Sequence, residues 1–288
     1  MTLPVIVWLA LSAIWGSTWL VIKIGLEDLP PLTFAGLRFA VGLLPLFLVV
    51  VVKRVRIPRD RGSWMLMVWT GFLTFTITYG LVFWGEQYIS SGLAALLFAT
   101  FPLFGMLVAH GKLPHERMTA TRIVGVLLGM SGVAIIFSDE LAAHGTMGML
   151  ASAGILVAAL GAAYADVLIK ADGGHISSVV MTTVQMSVGT LTLLSLGIAL
   201  EGNPLSHNWT MRALISVAYL AFIGTALAFV LLYWLFKQMD VTKTMLLTLV
   251  TPLIAVALGV VLLDESVTWR IAVGGTGILG GLGLVVRS

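Results

Sequence analysis

The sequence predicts an all-α polytopic membrane protein, with ten transmembrane helices in two inverted five-helix repeats around a central cavity. Three observations predict it. Hydrophobic residues make up 59% of the 288 and charged residues only 10%, too little charge to cover a surface facing water. The chain repeats itself without a gap at an offset of 150: Phe83-Trp84 returns as Tyr233-Trp234, Leu96-Leu97 as Leu246-Leu247, and Pro102-Leu103 as Pro252-Leu253. Of the 16 Lys and Arg, all but Lys23, Arg38, Arg212 and Arg270 fall on one side once the spans are drawn.

Charges and turn residues divide the chain into helices over about 5–24, 32–52, 64–85, 91–110, 120–138, 147–169, 177–199, 212–236, 243–263 and 270–287. Each is near the roughly 20 residues that cross a 30 Å hydrocarbon layer at 1.5 Å per residue. The first, Val5 to Ile24, has no basic segment before it and similar segments after it, so it reads as a span and not a signal peptide. A lipid-facing β-barrel would alternate polar and apolar residues, which these segments do not do.

Lys53, Arg54, Arg56, Arg59 and Arg61 occupy the second connection; Lys112, Arg117 and Arg122 surround the fourth; Lys170 lies in the sixth and Lys237 and Lys243 in the eighth. The positive-inside rule then places both termini and the even connections in the cytoplasm. Glu27, Asp28, Glu86, Asp139, Glu140, Glu201, Asp264 and Glu265 mostly mark the opposite surface. Residues 1–138 form a first five-helix repeat, 139–146 a short linker and 147–288 a second repeat. Five is odd, so the second repeat is inverted and the pseudo-symmetry axis lies in the membrane plane.

Composition narrows the chemistry. The absence of Cys excludes disulfides and thiolate catalysis. His110, His115, His144, His175 and His207 are scattered, with no H-E-x-x-H pattern, so no metal, cofactor or catalytic residue is implied. The net charge of +3 suits loops at anionic headgroups of the lipid bilayer better than nucleic acid. Gly274-Gly275-Thr276-Gly277 lacks the strand, helix and Lys of a phosphate loop.

The residues that would bind a small-molecule substrate are aromatic and hydroxylated. Tyr79, Phe83 and Glu86 recur as Phe229, Tyr233 and Phe236, and steps of four and three put each set on one helical face. Such a stripe lines a passage or simply packs a helix and anchors it at the interface. Trp15, Ser17 and Thr18 in the first span and Tyr164 in the sixth add rings and hydroxyls, as do Thr100, Gln185, Thr225 and Thr248, some of which only bond their own helix. The substrate contacts expected are Trp15, Ser17, Tyr79, Phe83, Thr100, Tyr164, Tyr233 and Thr248.

Pro102 and Pro252 lie inside spans, where each ring removes a hydrogen bond and bends the helix, as a hinge or as a fixed kink. Asp166 and Lys170 are four apart and meet on one face as an ion pair or a gate. Glu86 reads as exposed, Arg38 as snorkelling or pairing locally, and no carboxylate sits at mid-membrane, which argues against a dedicated proton relay. Gly125, Gly129 and Gly132 in the fifth span and Gly274, Gly277 and Gly281 in the tenth permit close helix contact, within one chain before between two. A monomer and a homodimer both remain open.

Several short motifs carry a family resemblance. The first span has Trp15-Gly16-Ser17, the second Arg38-Phe39, the fourth Phe101-Pro102-Leu103 and the ninth Thr251-Pro252-Leu253. Glu116 is followed by Thr119, Gly125 and Gly132, and Glu265 by Thr268, Gly274 and Gly281, now at an offset of 149. On these residues the chain resembles the drug/metabolite transporter superfamily, in its ten-span branch of two EamA-type repeats, and within it bacterial exporters of aromatic amino acids. The second repeat departs from the common Gly-Glu pair, reading Leu263-Asp264-Glu265 against His115-Glu116.

The resemblance implies two halves around a cavity, with the fifth and tenth helices peripheral or involved in association. It implies export of amino acids, aromatic or otherwise apolar, by alternating access. Proton-coupled export of other metabolites or drugs is the alternative, and an embedded enzyme or assembly protein a more distant one.

Overall fold

The computed structural model describes residues 3–112, 119–239, 244, 247 and 250–286, and every regular element among them is helical. Helices α1 (Leu3–Gly25), α2 (Pro31–Val52), α3 (Arg61–Gly85) and α4 (Ser91–Lys112) come first. A helical stretch Ala120–Asp172 is two helices divided at Gly145, whose φ of 61° and ψ of −152° suit only glycine. These are α5, over 120–144, and α6, Gly145–Asp172. Helices α7 (Ser178–Leu200), α8 (Met211–Gln238), α9 (Thr251–Leu263) and α10 (Trp269–Val286) follow. Among the described residues seven helices, α1–α4 and α6–α8, are long and apolar enough to cross a membrane.

Their outward faces are apolar. Leu44, Phe47, Leu48 and Val51 of α2, Leu127 of α5, Leu191 of α7 and Val261 of α9 are each more than half exposed, which a lipid solvent accommodates and water would not. The protein is an all-α, membrane-embedded helix assembly.

Polar residues close the helix ends, where backbone groups lack helical partners. At the acidic end of the bundle, Pro31 opens α2 and the Glu201 carboxylate accepts from the Leu32 and Thr33 amides at 2.8 and 2.7 Å. Glu265 does the same for α4, accepting from the Ser91 and Gly92 amides at 2.8 and 3.2 Å. A carboxylate there also faces the positive pole of the helix. At the basic end Asp60 caps α3 through the Ser63 amide, and at the acidic end Thr210 caps α8 through that of Ala213.

Helices α3 and α8 each contain a π-helical turn, Phe72–Thr78 and Phe222–Leu227, starting at the same place in the 150-residue repeat. The Tyr79 amide donates to the Thr74 carbonyl, five residues back, and the Thr225 hydroxyl donates to the Leu220 carbonyl at 2.7 Å. Such turns shift the helical phase and rarely occur without a local reason.

Helix α4 is interrupted at Ala99–Thr100 and resumes at Phe101, so Pro102 sits in the first turn of its second segment. Pro252 likewise sits in the first turn of α9. Pro102 thus stands at a break within the span Ser91–Lys112, and in both helices the ring costs little, because a first turn has no partner for the missing N–H in any case. Residues 243–250 of the expected ninth span lie partly outside the described residues.

Helices α5 and α10 meet through glycine within the one chain. A Cβ on Gly132 would stand 2.3 Å from the Gly274 carbonyl oxygen, and one on Gly281 2.3 Å from that of Gly125. No side chain but hydrogen fits such an approach.

Candidate functional site

Helices α1, α3, α4, α6, α8 and α9 surround a cavity of about 90 Å³, lined by Trp15, Thr18, Trp19 and Ile22 of α1, Thr74, Thr78, Tyr79 and Val82 of α3, and Phe98 and Phe101 of α4. Across it stand Ala162 and Asp166 of α6, Phe229 and Leu232 of α8, Leu247, and Thr251 of α9. A cavity near 150 Å³ receives a benzene; this one admits a few waters or a small polar group, and a larger ligand must displace side chains.

The π turns shape this wall. Thr74 and Tyr79 are five apart and would point about 140° apart on an α-helix, yet both line the cavity because the turn between them is wider. In α8 the turn presents the Gly224 carbonyl to the Trp15 indole N–H, which donates to it at 3.2 Å. Rings then continue around the cavity: Trp15 meets Phe229 edge-on at 5.5 Å, Phe229 meets Tyr79 at 6.2 Å, Trp19 meets Phe98 at 5.5 Å, and Phe98 stacks on Phe101 at 5.7 Å.

Behind Tyr79 lies Arg38, 1% exposed. Its Nε and Nη2 donate to the Thr225 hydroxyl, and its guanidinium carbon stands 4.7 Å from the Tyr79 ring centroid and 5.4 Å from that of Phe83. The snorkelling expectation is therefore corrected, since a cation in this position is held by an oxygen and π faces. Glu86 is also fully buried, with neither carboxylate oxygen hydrogen-bonded, although its carbonyl accepts from Lys23. Exposure was the wrong expectation for it.

Of the expected contacts, Trp15 and Tyr79 line the cavity. Phe83 packs behind it, edge-on to Phe34 at 5.1 Å. Ser17 bonds the Ile14 carbonyl and the Tyr219 hydroxyl instead, and Thr100 donates to the Leu97 carbonyl at 2.7 Å. Tyr164 is half-buried and does not line the cavity. Tyr233 donates to Gln185 Oε1 at 2.7 Å, Gln185 donates in turn to Thr70, and the ring faces a second cavity of about 310 Å³ at the basic end. Thr248 lies outside the described residues.

Asp166 and Lys170 do not pair. Lys170 donates to the Phe236 and Met239 carbonyls at 2.8 and 3.3 Å, closing the end of α8, while Asp166 lines the cavity. The expected ion pair is corrected by this placement, since Lys170 is held by backbone carbonyls instead. Residues missed from sequence include Trp19, Phe98, Phe101 and Thr74. Trp19 and Ile22 follow Trp15 at four and seven, a helical spacing that would have found them.

Two sets of contacts close the ends in matching positions. At the acidic end Asp28 accepts from Thr210 at 2.6 Å and from Arg212 Nε at 3.0 Å, and Arg212 also pairs with Glu27. At the basic end His175, 147 residues after Asp28, stands 2.8 Å from the hydroxyl of Ser63. Lys23 donates to the carbonyls of Glu86 and Ile89, and Lys170, also 147 residues on, donates to those of Phe236 and Met239, 150 residues on. The Arg212 hydrogen bond, followed by that of Thr210, holds the Asp28 carboxyl below its usual range. The Ser63 amide does so for Asp60.

Comparison with known proteins follows this geometry. The chain is 29% identical over 266 residues to the transporter YoaV of Bacillus subtilis (strain 168), covering 92% of this chain and 90% of that one. It is 27% identical to the inner membrane transporter YedA of Escherichia coli (strain K12), covering 90% and 82%. It is 25% identical to a probable amino-acid metabolite efflux pump of the same strain, covering 95% and 91%. A crystal structure at 16% identity shares the fold, with a TM-score of 0.73 over 99% of this chain and 97% of that one. The sequence profile of the EamA-like transporter family matches residues 3–138 and again 149–287. The protein belongs to the EamA-like transporter family, and is a membrane transporter of small molecules and not an enzyme.

Proposed function

We propose that the protein exports aromatic or other apolar amino acids across a bacterial inner membrane, by alternating access of two inverted five-helix halves, ten spans in all, with both termini cytoplasmic. The observation that carries the reading is an aromatic cavity between helices of both halves, with matched contacts closing its two ends. The repeated π turns and the matched Lys23 and Lys170 bonds support an inverted repeat. The basic residues of the second connection put that end in the cytoplasm. The substrate class is supported by ring-lined walls and by the name of the Escherichia coli relative.

In this cycle the ligand enters from the basic end, where cavities of about 310 and 640 Å³ open beside Lys237 and His175. The basic-end contacts open to admit it, it displaces side chains around Trp15 and Tyr79, and the acidic-end contacts release once those at the basic end have closed again. Binding shifts the balance between two states without a covalent step. Uptake of labelled aromatic amino acids into proteoliposomes tests this. The absence of saturable, protein-dependent flux across a broad amino-acid panel would sink it, and repeating the assay with and without a pH gradient decides between facilitation and proton coupling.

A further inference from the structure

We infer that the cavity recognises a positively charged amino group, held at the Asp166 carboxylate among aromatic faces, and therefore prefers a monocationic amine with an apolar body to a zwitterion or an anion. The inference goes beyond the transport reading, ranking amines above the amino acids proposed there, and rests on that reading only for taking this cavity as the substrate site.

The argument begins with charge. Asp166 is 4% exposed and has no salt-bridge or hydrogen-bond partner among the described residues. Among the described residues, none that lines the cavity is basic. Lys170, one turn along α6, is committed to the carbonyls that end α8. Arg38 touches the ring of Tyr79 but does not line the cavity, and its Nε and Nη2 are spent on Thr225. An ionised carboxylate away from water needs a compensating charge, and a cationic ligand supplies it.

Hydrogen-bonding capacity is compatible with that sign. The Thr18 hydroxyl donates to the Trp15 carbonyl at 2.8 Å, and that of Thr78 to the Ala158 carbonyl at 3.0 Å. Each hydroxyl has one proton, so both face the cavity as acceptors only. The indole N–H of Trp15 is spent on Gly224. Of the cavity's other donors, the Thr74 hydroxyl has no partner and keeps its proton, and the Tyr79 phenol and Trp19 indole remain to donate. The wall can thus accept from an ammonium group as well as donate, and its sign is set by Asp166, the charged group among its described residues. Trp15, Trp19, Tyr79, Phe98, Phe101 and Phe229 supply π faces, which attract a desolvated cation.

The test measures binding to the purified full chain of four compounds that share a phenyl ring: 2-phenylethylamine, phenylalanine methyl ester, phenylalanine and 3-phenylpropionate. The amine and the ester are expected to bind about tenfold or more tighter than phenylalanine, and the propionate most weakly. Asp166→Asn should remove this ranking and Asp166→Glu should keep it. Equal binding of amine and zwitterion by the unaltered protein overturns the inference, as does an unchanged ranking in Asp166→Asn. Should Asp166→Asn not fold, the unaltered protein and Asp166→Glu decide alone. Flux of all four compounds in proteoliposomes separates the two readings. Flux without amine preference overturns the charge rule and leaves transport standing, whereas Asp166-dependent binding without flux of any amino acid or amine does the reverse.

Discussion

Arg38 and Thr225 form the most exacting residue-scale contact in the protein. Removing the hydroxyl leaves a fully buried guanidinium to π faces alone, and a hydrogen bond to a charged group contributes about 1.5–3 kcal/mol. Thr225→Val is expected to destabilise the protein by about that much in detergent unfolding, whereas Ser17→Ala, which loses a half-buried bond to Tyr219, should cost about 1 kcal/mol or less. An Arg38–Thr225 contact could not be read from sequence. Its two residues are 187 apart, and it exists only because a π turn in α8 aims the threonine across at α2. Tyr233 illustrates the same limit: its place in the aromatic stripe was legible, but its hydroxyl is taken by Gln185.

Elements were easier to read than the turns that distort them. Hydropathy located the apolar helices because lipid demands long apolar stretches, and it put Trp15 and Tyr79 on helices that reach the cavity. Hydropathy carries no signal for an i to i+5 turn, so Thr74 was missed. Deleting Thr76 should close Phe72–Thr78 to an α-helical turn that leaves Tyr79 four residues after Thr74 and about 40° from it, so that both still face the cavity. The expected outcome is near-unchanged helical circular dichroism with the ligand-induced change in tryptophan fluorescence from Trp15 and Trp19 kept. Loss of that change would show that the wall needs the wider turn itself and not only the facing of these two side chains.

The lysines at two helix ends make a paired prediction at this scale. Lys23 ties α1 to the end of α3, and Lys170 ties α6 to the end of α8. Lys23→Met should loosen the acidic end and Lys170→Met the basic end. Distances between spin labels on introduced cysteines, the only thiols in this chain, should lengthen at opposite ends in the two variants.

At the scale of the whole molecule, the contacts closing the two ends are unequal. Asp28 accepts bonds from both Thr210 and Arg212, whereas one bond joins Ser63 to His175. The Asp28 carboxyl, ordinarily near 3.8, is lowered by the Arg212 hydrogen bond. A lowered carboxylate stabilises the latched state fully above its ordinary value and loses that contribution as pH falls through the lowered one. Spin-label distances across the acidic end should hold constant from neutral pH down to about pH 4 and lengthen only in stronger acid. Arg212→Ala should lengthen them already at pH 7. A distance that begins to change near pH 6 would mean that another group controls this end.

The glycine seam between α5 and α10 bears on how such a molecule can move. Helices that interlock through side chains must lift each knob from its hole before one slides past the other. Gly132 and Gly281 stand directly against opposing backbone and offer no such interlock, so this flank forms a smooth bearing on which the two helices can roll without changing a rotamer. Gly132→Ala would place a tooth in that bearing, with an expected cost of about 1–3 kcal/mol and slower exchange between states even where the ligand still binds.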